Sequence, residues 1–378
     1  MMKRFGTVSY NIYCNFTNYG SALQSWALCR IVDKLGAGGR WQSVLVDYCP
    51  DVLRDKDPLD PMRNMWDKDE VSRRMCELSL PAIRINYEKF DRFYHEAFNR
   101  TKNSYTSGNF CDIVDTESLD GFICGSDTIF CPDEFGFDDG YYANYPCMKD
   151  GFSMSYAASF GDAKIKGEQL DTLRSRLGNF KAIGLRESTL VDFVRANTDK
   201  DRVNVCRTLD PTLLLCKDDF ETIACRERLH DKPYLLLYAR RYNSHMEEYA
   251  ERLAAENGWD IVEISLRAVN AAKHRMFYEA GVDEFLSLVR GAELTVTNSY
   301  HGMIVSFQYG RPFTVFSREQ CDTKISELLE ISGLSDLKLP SVPATAVSAN
   351  DIKAAQNRLA AHRNTSLKFL DDSLSLCR

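Results

Sequence analysis

The sequence predicts an α/β protein with two lobes of parallel sheet and helix facing a cleft. Three observations carry that expectation. The chain has 378 residues, more than the roughly 250 to 300 at which a single hydrophobic core stops growing. Short β-branched or aromatic runs alternate with apolar residues at helical spacing, in two successive series separated near residues 218–232. Alternating units of that kind build parallel sheets covered on both faces. Finally, the strand-like runs mostly end in polar or glycine-bearing turns, the place where open α/β sheets keep their ligands.

Residues 5–10 read as a first strand. After the polar turn 15–20, Leu23, Trp26, Ala27, Ile31 and Leu35 form one helical face that Gly36 ends, and 43–47 reads as the next strand. Residues 51–116 are charged and helical in places, with Phe90, Phe93, Tyr94 and Phe98 on one face, and are expected as a helical insertion. Strands at 121–124, 152–156, 181–185 and 203–207 complete a first lobe over residues 1–217. A second lobe over 218–347 follows, with strands at 234–238, 259–264, 293–297 and 313–316 and helices near 246–256 and 282–291. Between the last two strands, Met303, Ile304 and Phe307 recur at helical spacing until Gly310-Arg311-Pro312 stops them. Ser348 and Asp351 are spaced as a capping box, opening a C-terminal helix within 348–378.

Composition narrows the function. An apolar fraction of 44% and a charged fraction of 27% are ordinary for a globular protein. The net charge of −7 gives no basic footprint, so nucleic acid is excluded as a partner and any anionic ligand needs a local cationic cluster. Thirteen cysteines lie scattered without a C-x-x-C pair or zinc spacing, which implies neither a disulfide framework nor a metal site and fits a reducing compartment. The start, MMKRFGTVSYNIYC, lacks the apolar core of a signal peptide, and no window approaches the ~18 apolar residues of a membrane span. A cytoplasmic location is expected, compatible with peripheral contact with a membrane-borne substrate.

Five turns carry the candidate chemistry. In the last, His301 stands between a buried-strand pattern and a helix, where an imidazole can exchange protons near neutral pH; alternatively it only bonds the helix start. Gly20-Ser21 opens a helix and leaves N–H groups for an anion or a sugar hydroxyl, although an N-cap explains Ser21 equally well. Gly125-Ser126-Asp127 follows a strand and either presents a carboxylate or makes an Asx turn. Arg186, after strand 181–185, can fork onto a phosphate or carboxylate, or pair with Glu187 or another acid. The fifth turn is the SYAASFG stretch, 155–161. Arg240, Arg241, Arg318 and Lys324, each just past a predicted strand, are further cations, and Tyr19, Tyr156 or Tyr300 could rim a sugar site.

Taken together, NYGSALQSWAL (18–28), GSDTIF (125–130), SYAASFG (155–161), LRES (185–188), LDPTLLL (209–215) and TNSYHG (297–302) resemble the polysaccharide pyruvyl transferase family. Their order spans most of the chain. The resemblance implies two Rossmann-like lobes of the glycosyltransferase-B kind, with the C-terminal helix packing back on the first. It also implies transfer of the pyruvyl group of phosphoenolpyruvate to a sugar as a cyclic ketal, with release of phosphate and no metal or redox cofactor. The acceptor would be a glycan or lipid-linked saccharide. His301 matches the family's histidine and would protonate the donor methylene carbon. Arg186 would hold the donor anion, with Asn298, Ser299, Arg240, Arg318 and Lys324 around it. Asn18, Tyr19, Gly20 and Ser126 would face the acceptor, and Asp127 would act as base for a hydroxyl. One departure stands out: many members carry R-x-H, whereas this chain has Ser299 two residues before His301. Arg240, Arg318 or Lys324 would then have to supply the charge. A nucleotide-sugar glycosyltransferase and a non-catalytic saccharide-binding relative are the alternatives on the same scaffold.

Overall fold

In the computed structural model, which describes residues 2–64, 69–318, 322–335 and 346–377, the strands form two parallel sheets. The first joins β1 (Lys3–Val8), β2 (Trp41–Leu45), β3 (Gly121–Cys124), β4 (Phe152–Ala158), β5 (Ala182–Leu185) and β6 (Asn204–Arg207) in the order β2-β1-β3-β4-β5-β6. The second joins β7 (Tyr234–Tyr238), β8 (Asp260–Ile264), β9 (Arg275–Met276), β10 (Leu294–Thr297) and β11 (Phe313–Val315) in the order β11-β10-β7-β8-β9. Strands β3, β4, β5, β7 and β10 are buried along their whole length, which is why all but β4, where Ser153 and Ser155 interrupt, read as nearly unbroken apolar or β-branched runs. The two-residue β9 carries no pattern that sequence reading could find.

Each sheet has one point at which the chain reverses its direction of travel. It leaves β1 for β2 on one side and returns to β3 on the other; likewise it leaves β7 for β8 and returns to β10. At such points the carboxyl ends of adjacent strands diverge and open a crevice. The helices that start there are capped from within the sequence. Helix α1 (Tyr19–Leu35) begins where the Asn18 side chain accepts the Gly20 N–H at 3.0 Å, and ends at Gly36.

Residues 51–116 do more than insert. Their main element, α2 (Glu70–Glu96), has Asp69 as its cap and bridges to the second lobe. There Lys89 pairs with Glu284 at 2.6 Å, at the start of α3 (Val282–Gly291), and Asn86 donates to the Ala280 carbonyl. Helix α4 (Tyr300–Tyr309) follows β10, capped by Ser299, whose hydroxyl accepts the Gly302 N–H, and ends at Gly310 with φ +66°. Helix α5 (Ala349–Leu374) has the expected Ser348–Asp351 capping box and runs back across both lobes. Gln356 donates to Phe307 O, Arg363 to Leu213 O, and Ser366 accepts the Leu209 N–H. Its Phe369 packs so close to β5 that a Cβ at Gly184 would lie 3.0 Å from the ring. One core therefore runs through both lobes, from Phe5 and Trp26 to Tyr238 and Leu370. Among the described residues, no helix is long and apolar enough to cross a membrane.

Candidate functional site

The two reversal points meet. His301, in the first turn of α4, lies against Gly20 at the start of α1: a Cβ on Gly20 would fall 2.2 Å from Nδ1. Only a residue without a side chain allows that approach. The other ring nitrogen, Nε2, is 3.3 Å from Oδ2 of Asp210, which is fully buried. The same Oδ2 takes Nη2 of Arg186 at 2.9 Å, while Oδ1 caps the Thr212 N–H at 3.0 Å. One carboxylate thus ties the imidazole of the second lobe to the guanidinium of the first.

Around Arg186 the first lobe is closed. The Ser126 hydroxyl accepts from Arg186 and donates to Ala157 O at 3.1 Å, and Asp127 stands 3.8 Å from the guanidinium. Asp127 also accepts the Ser21 hydroxyl at 3.0 Å and the Thr128 N–H at 3.0 Å. It is held at φ +74°, a strained backbone for a residue with a side chain. Gly125 before it has no alternative, since a Cβ would meet Tyr156 O at 2.1 Å. Burial opposes charge on both aspartates. Arg186, Lys324 and His301 nevertheless hold Asp127 below the usual carboxylate range, and Arg186 and His301 hold Asp210 well below it. Burial likewise opposes charge on Arg186, and the two aspartates overcome it. Glu187 differs: burial pushes its carboxyl up, against Arg186 and the Ser159 hydroxyl that bonds it. The Tyr300 ring has Arg186 at 5.5 Å and Lys324 at 5.6 Å from its centroid, within cation–π reach. Beside these groups the remaining hollow is about 20 Å3, water-sized.

The second lobe is open past its central strand, β7. A cavity of about 400 Å3 lies at the carboxyl ends of β7 and β8, with Arg240, Arg241, Arg267 and Arg318 among its lining. Asn298 fixes its inner edge, accepting the Arg240 N–H at 2.9 Å and donating to Arg241 O at 2.7 Å. Arg240 reaches across to Thr17 O at 3.1 Å, and no carboxylate pairs with it among the described residues. The Tyr238 hydroxyl is buried against the side chains of Ser299 and Arg240, which share its hydrogen bonding.

The expected site residues therefore divide. His301, Gly20, Arg186, Ser126 and Asp127 come together at the junction, with Lys324 beside them. Arg240, Arg318, Asn298 and Ser299 gather at the open cavity and its edge. Two of the expected acceptor contacts are internal. Tyr19 is stacked on Phe285 at 4.4 Å and donates to Ala280 O at 2.7 Å, and Ser126 is wholly buried. Asn18 caps α1. Asp210, in the motif 209–215, carries no local sign of its part here: its visible local role is to cap the Thr212 N–H, while its other oxygen meets Arg186 and His301.

Residues 18–320 match the polysaccharide pyruvyl transferase family. The chain belongs to that family. It is accordingly a pyruvyl-transfer enzyme that takes phosphoenolpyruvate as donor and a polysaccharide sugar as acceptor. No curated protein matches the sequence. Among solved structures, the pyruvyl transferase is similar to UDP-GlcNAc 2-epimerase from Neisseria meningitidis bound to UDP-GlcNAc, with 10% identity over 99% of this chain and 98% of that one and a TM-score of 0.42. It is also similar to UDP-N-acetylglucosamine 2-epimerase from Rickettsia bellii, with 9% identity over 100% and 98% and a TM-score of 0.47. A third is the E. coli ADP-heptose lps heptosyltransferase II, with 12% identity over 96% and 99% and a TM-score of 0.41. Likeness at that level says nothing about the ligand of this chain.

Proposed function

We propose that the ketal forms at the junction of the two reversal points, with His301 as the acid. The observation that carries this is the position of its ring, which the second lobe inserts between Gly20 and Asp210 of the first, three residues after the Asn298 that bonds the Arg240–Arg241 turn of the arginine-lined cavity. Phosphoenolpyruvate sits on the open side, because the space beside Arg186 admits only a water. Arg240 and Arg318 take its carboxylate and phosphate, and the Tyr238 and Ser299 hydroxyls supply hydrogen bonds. These arginines stand in for the one that R-x-H members carry two residues before the histidine.

The imidazolium gives its proton to the methylene carbon, which becomes the methyl group of the ketal. Positive charge develops on the neighbouring carbon, and a sugar hydroxyl attacks it, losing its own proton. Phosphate leaves with its bonding electron pair and a second hydroxyl of the same sugar closes the ring; of the two hydroxyl protons released, one restores the His301 imidazolium and the other leaves on the phosphate. Asp127 and Asp210, kept ionised in a dry site, offset the transient positive charge. The cations that keep Asp127 charged also weaken it as a proton acceptor, so its part is electrostatic rather than that of a base. Arg186 holds the two carboxylates in place.

The acceptor is a sugar of a cell-surface polysaccharide or its lipid-linked precursor, and the reaction takes place in the cytoplasm at the inner membrane face. Family membership and the composition support that placement. Phosphate release from phosphoenolpyruvate in the presence of glycans tests the assignment. His301→Ala should remove it, and nucleotide release from nucleotide sugars with no use of phosphoenolpyruvate would overturn it.

A further inference from the structure

Asp127 can offset charge on the donor only from one place, and its backbone there, at φ +74°, persists only where the surroundings leave a residue with a side chain no alternative. The group that supplies this constraint lies far from it in sequence. Gln24, on the second turn of α1, is wholly buried, and a primary amide so placed needs a partner for each polar atom. Its Oε1 accepts the Ser126 N–H at 3.1 Å. Its Nε2 shares two protons among the hydroxyls of Ser25 at 2.8 Å and Ser9 at 2.9 Å and the carbonyls of Ser21 at 3.0 Å and Tyr10 at 3.2 Å. Ser9 passes the contact on, because its hydroxyl donates to Ser126 O at 3.0 Å. One amide therefore fixes both peptide groups that flank the Ser126 Cα, directly at the N–H and through Ser9 at the carbonyl. It is itself anchored to the residues just past β1 and to the first turn of α1. Beyond the turn, Asp127 O accepts the Ser159 N–H at 2.9 Å, so the strained residue is held from both sides.

We propose that Gln24 is the positioning residue for Asp127, locking the turn 125–127 so that the carboxylate stays beside Arg186 and within reach of His301 while charge develops on the donor. The inference rests on the electrostatic part given to Asp127 under the proposed function and deepens it. Gln24 touches no reacting atom, so its whole effect runs through that carboxylate. Methionine at this position matches the length of glutamine without its amide. The Ser126 N–H then loses its acceptor, Ser9 loses its donor, and the turn relaxes toward an extended backbone that carries the carboxylate away from Arg186.

A double-variant cycle in kcat tests this. Asp127→Asn alone should lower kcat about tenfold or more. Gln24→Met alone should lower it about as much, with KM for phosphoenolpyruvate within about twofold of the wild type's, because the donor's arginines lie in the other lobe. In the Asp127→Asn background, Gln24→Met should cost less than about twofold more, since no charge is left to misplace. A loss of folded enzyme would instead lower kcat by the same factor in both backgrounds, and that result would overturn the proposal. Ser9→Ala removes only the relaying hydroxyl and repeats the cycle should Gln24→Met not fold: a loss of about threefold with Asp127 present and none without it supports the proposal, and equal losses overturn it. Asp127→Asn at the wild-type kcat would sink the electrostatic reading of Asp127 and this inference with it, whereas an impaired Asp127→Asn with equal losses in the cycle sinks the inference alone.

Discussion

The strand ends of the two lobes are furnished in opposite ways. In the first lobe, Arg186 is enclosed by Asp210, Asp127 and Ser126, and its charge is spent within the protein. In the second, Arg240 lines about 400 Å3 of open space and its guanidinium, bonded to the Thr17 carbonyl, pairs with no carboxylate among the described residues. Guanidinium groups just past strand ends of the two sheets, after β5 in one and β7 in the other, thus do different work: one organises carboxylates around the imidazole, the other awaits an anion. A cation counted from sequence does not reveal which it is. What distinguishes them is the acid that the chain brings back, from residue 210, to one lobe only.

The contrast can be broken most forcefully at the closed end. Asp210→Ala leaves Arg186 buried without its main partner and should cost about 3–5 kcal/mol of stability in denaturant unfolding, and adding Arg186→Met should recover much of it. Arg240→Ala, at the open end, should cost under about 1 kcal/mol in the same assay. Gly20→Ala tests the meeting of the two ends. A Cβ 2.2 Å from Nδ1 must displace the ring, and activity should fall about a hundredfold although alanine is the better helix former. Arg240→Ala should raise KM for phosphoenolpyruvate about tenfold with a smaller change in kcat, as loss of uniform binding does. The smallest effect is in the acid limb of stability. Asp127 and Asp210 have folded pKa values below the ordinary 3.8, so the folded state binds fewer protons. Their contribution is complete above that value and is lost as pH falls below it. Thermal melts should show a drop below about pH 4 that Asp210→Asn reduces.

Much of the architecture is legible in the sequence because buried parallel strands advertise themselves. The runs at 121–124 and 234–238 coincide with β3 and β7, and the helix at 282–291 with α3. The alternation of strand and helix gives the α/β class. The turn before His301 is legible because a capped helix follows a β-branched strand. Other parts depend on distant chain segments. Tyr19 sits at a strand-end turn, yet its ring fills the interface with Phe285, more than 260 positions away, and no local pattern foretells that. Arg267 and Tyr242 line one cavity only because β7 and β8 end side by side under the start of α2. Asp210 satisfies a local cap and a distant guanidinium at once, and the local reading hides the other.

The most direct test of the central claim follows the proton. Ketal formed by the wild-type enzyme in deuterated water should carry one deuterium in its new methyl group, and NMR gives the rate at which that CH2D signal grows. If His301 delivers the proton, His301→Ala should slow that growth by about 10² to 10⁴-fold while its melting temperature stays near the wild type's. Growth at the wild-type rate in the variant would contradict the account.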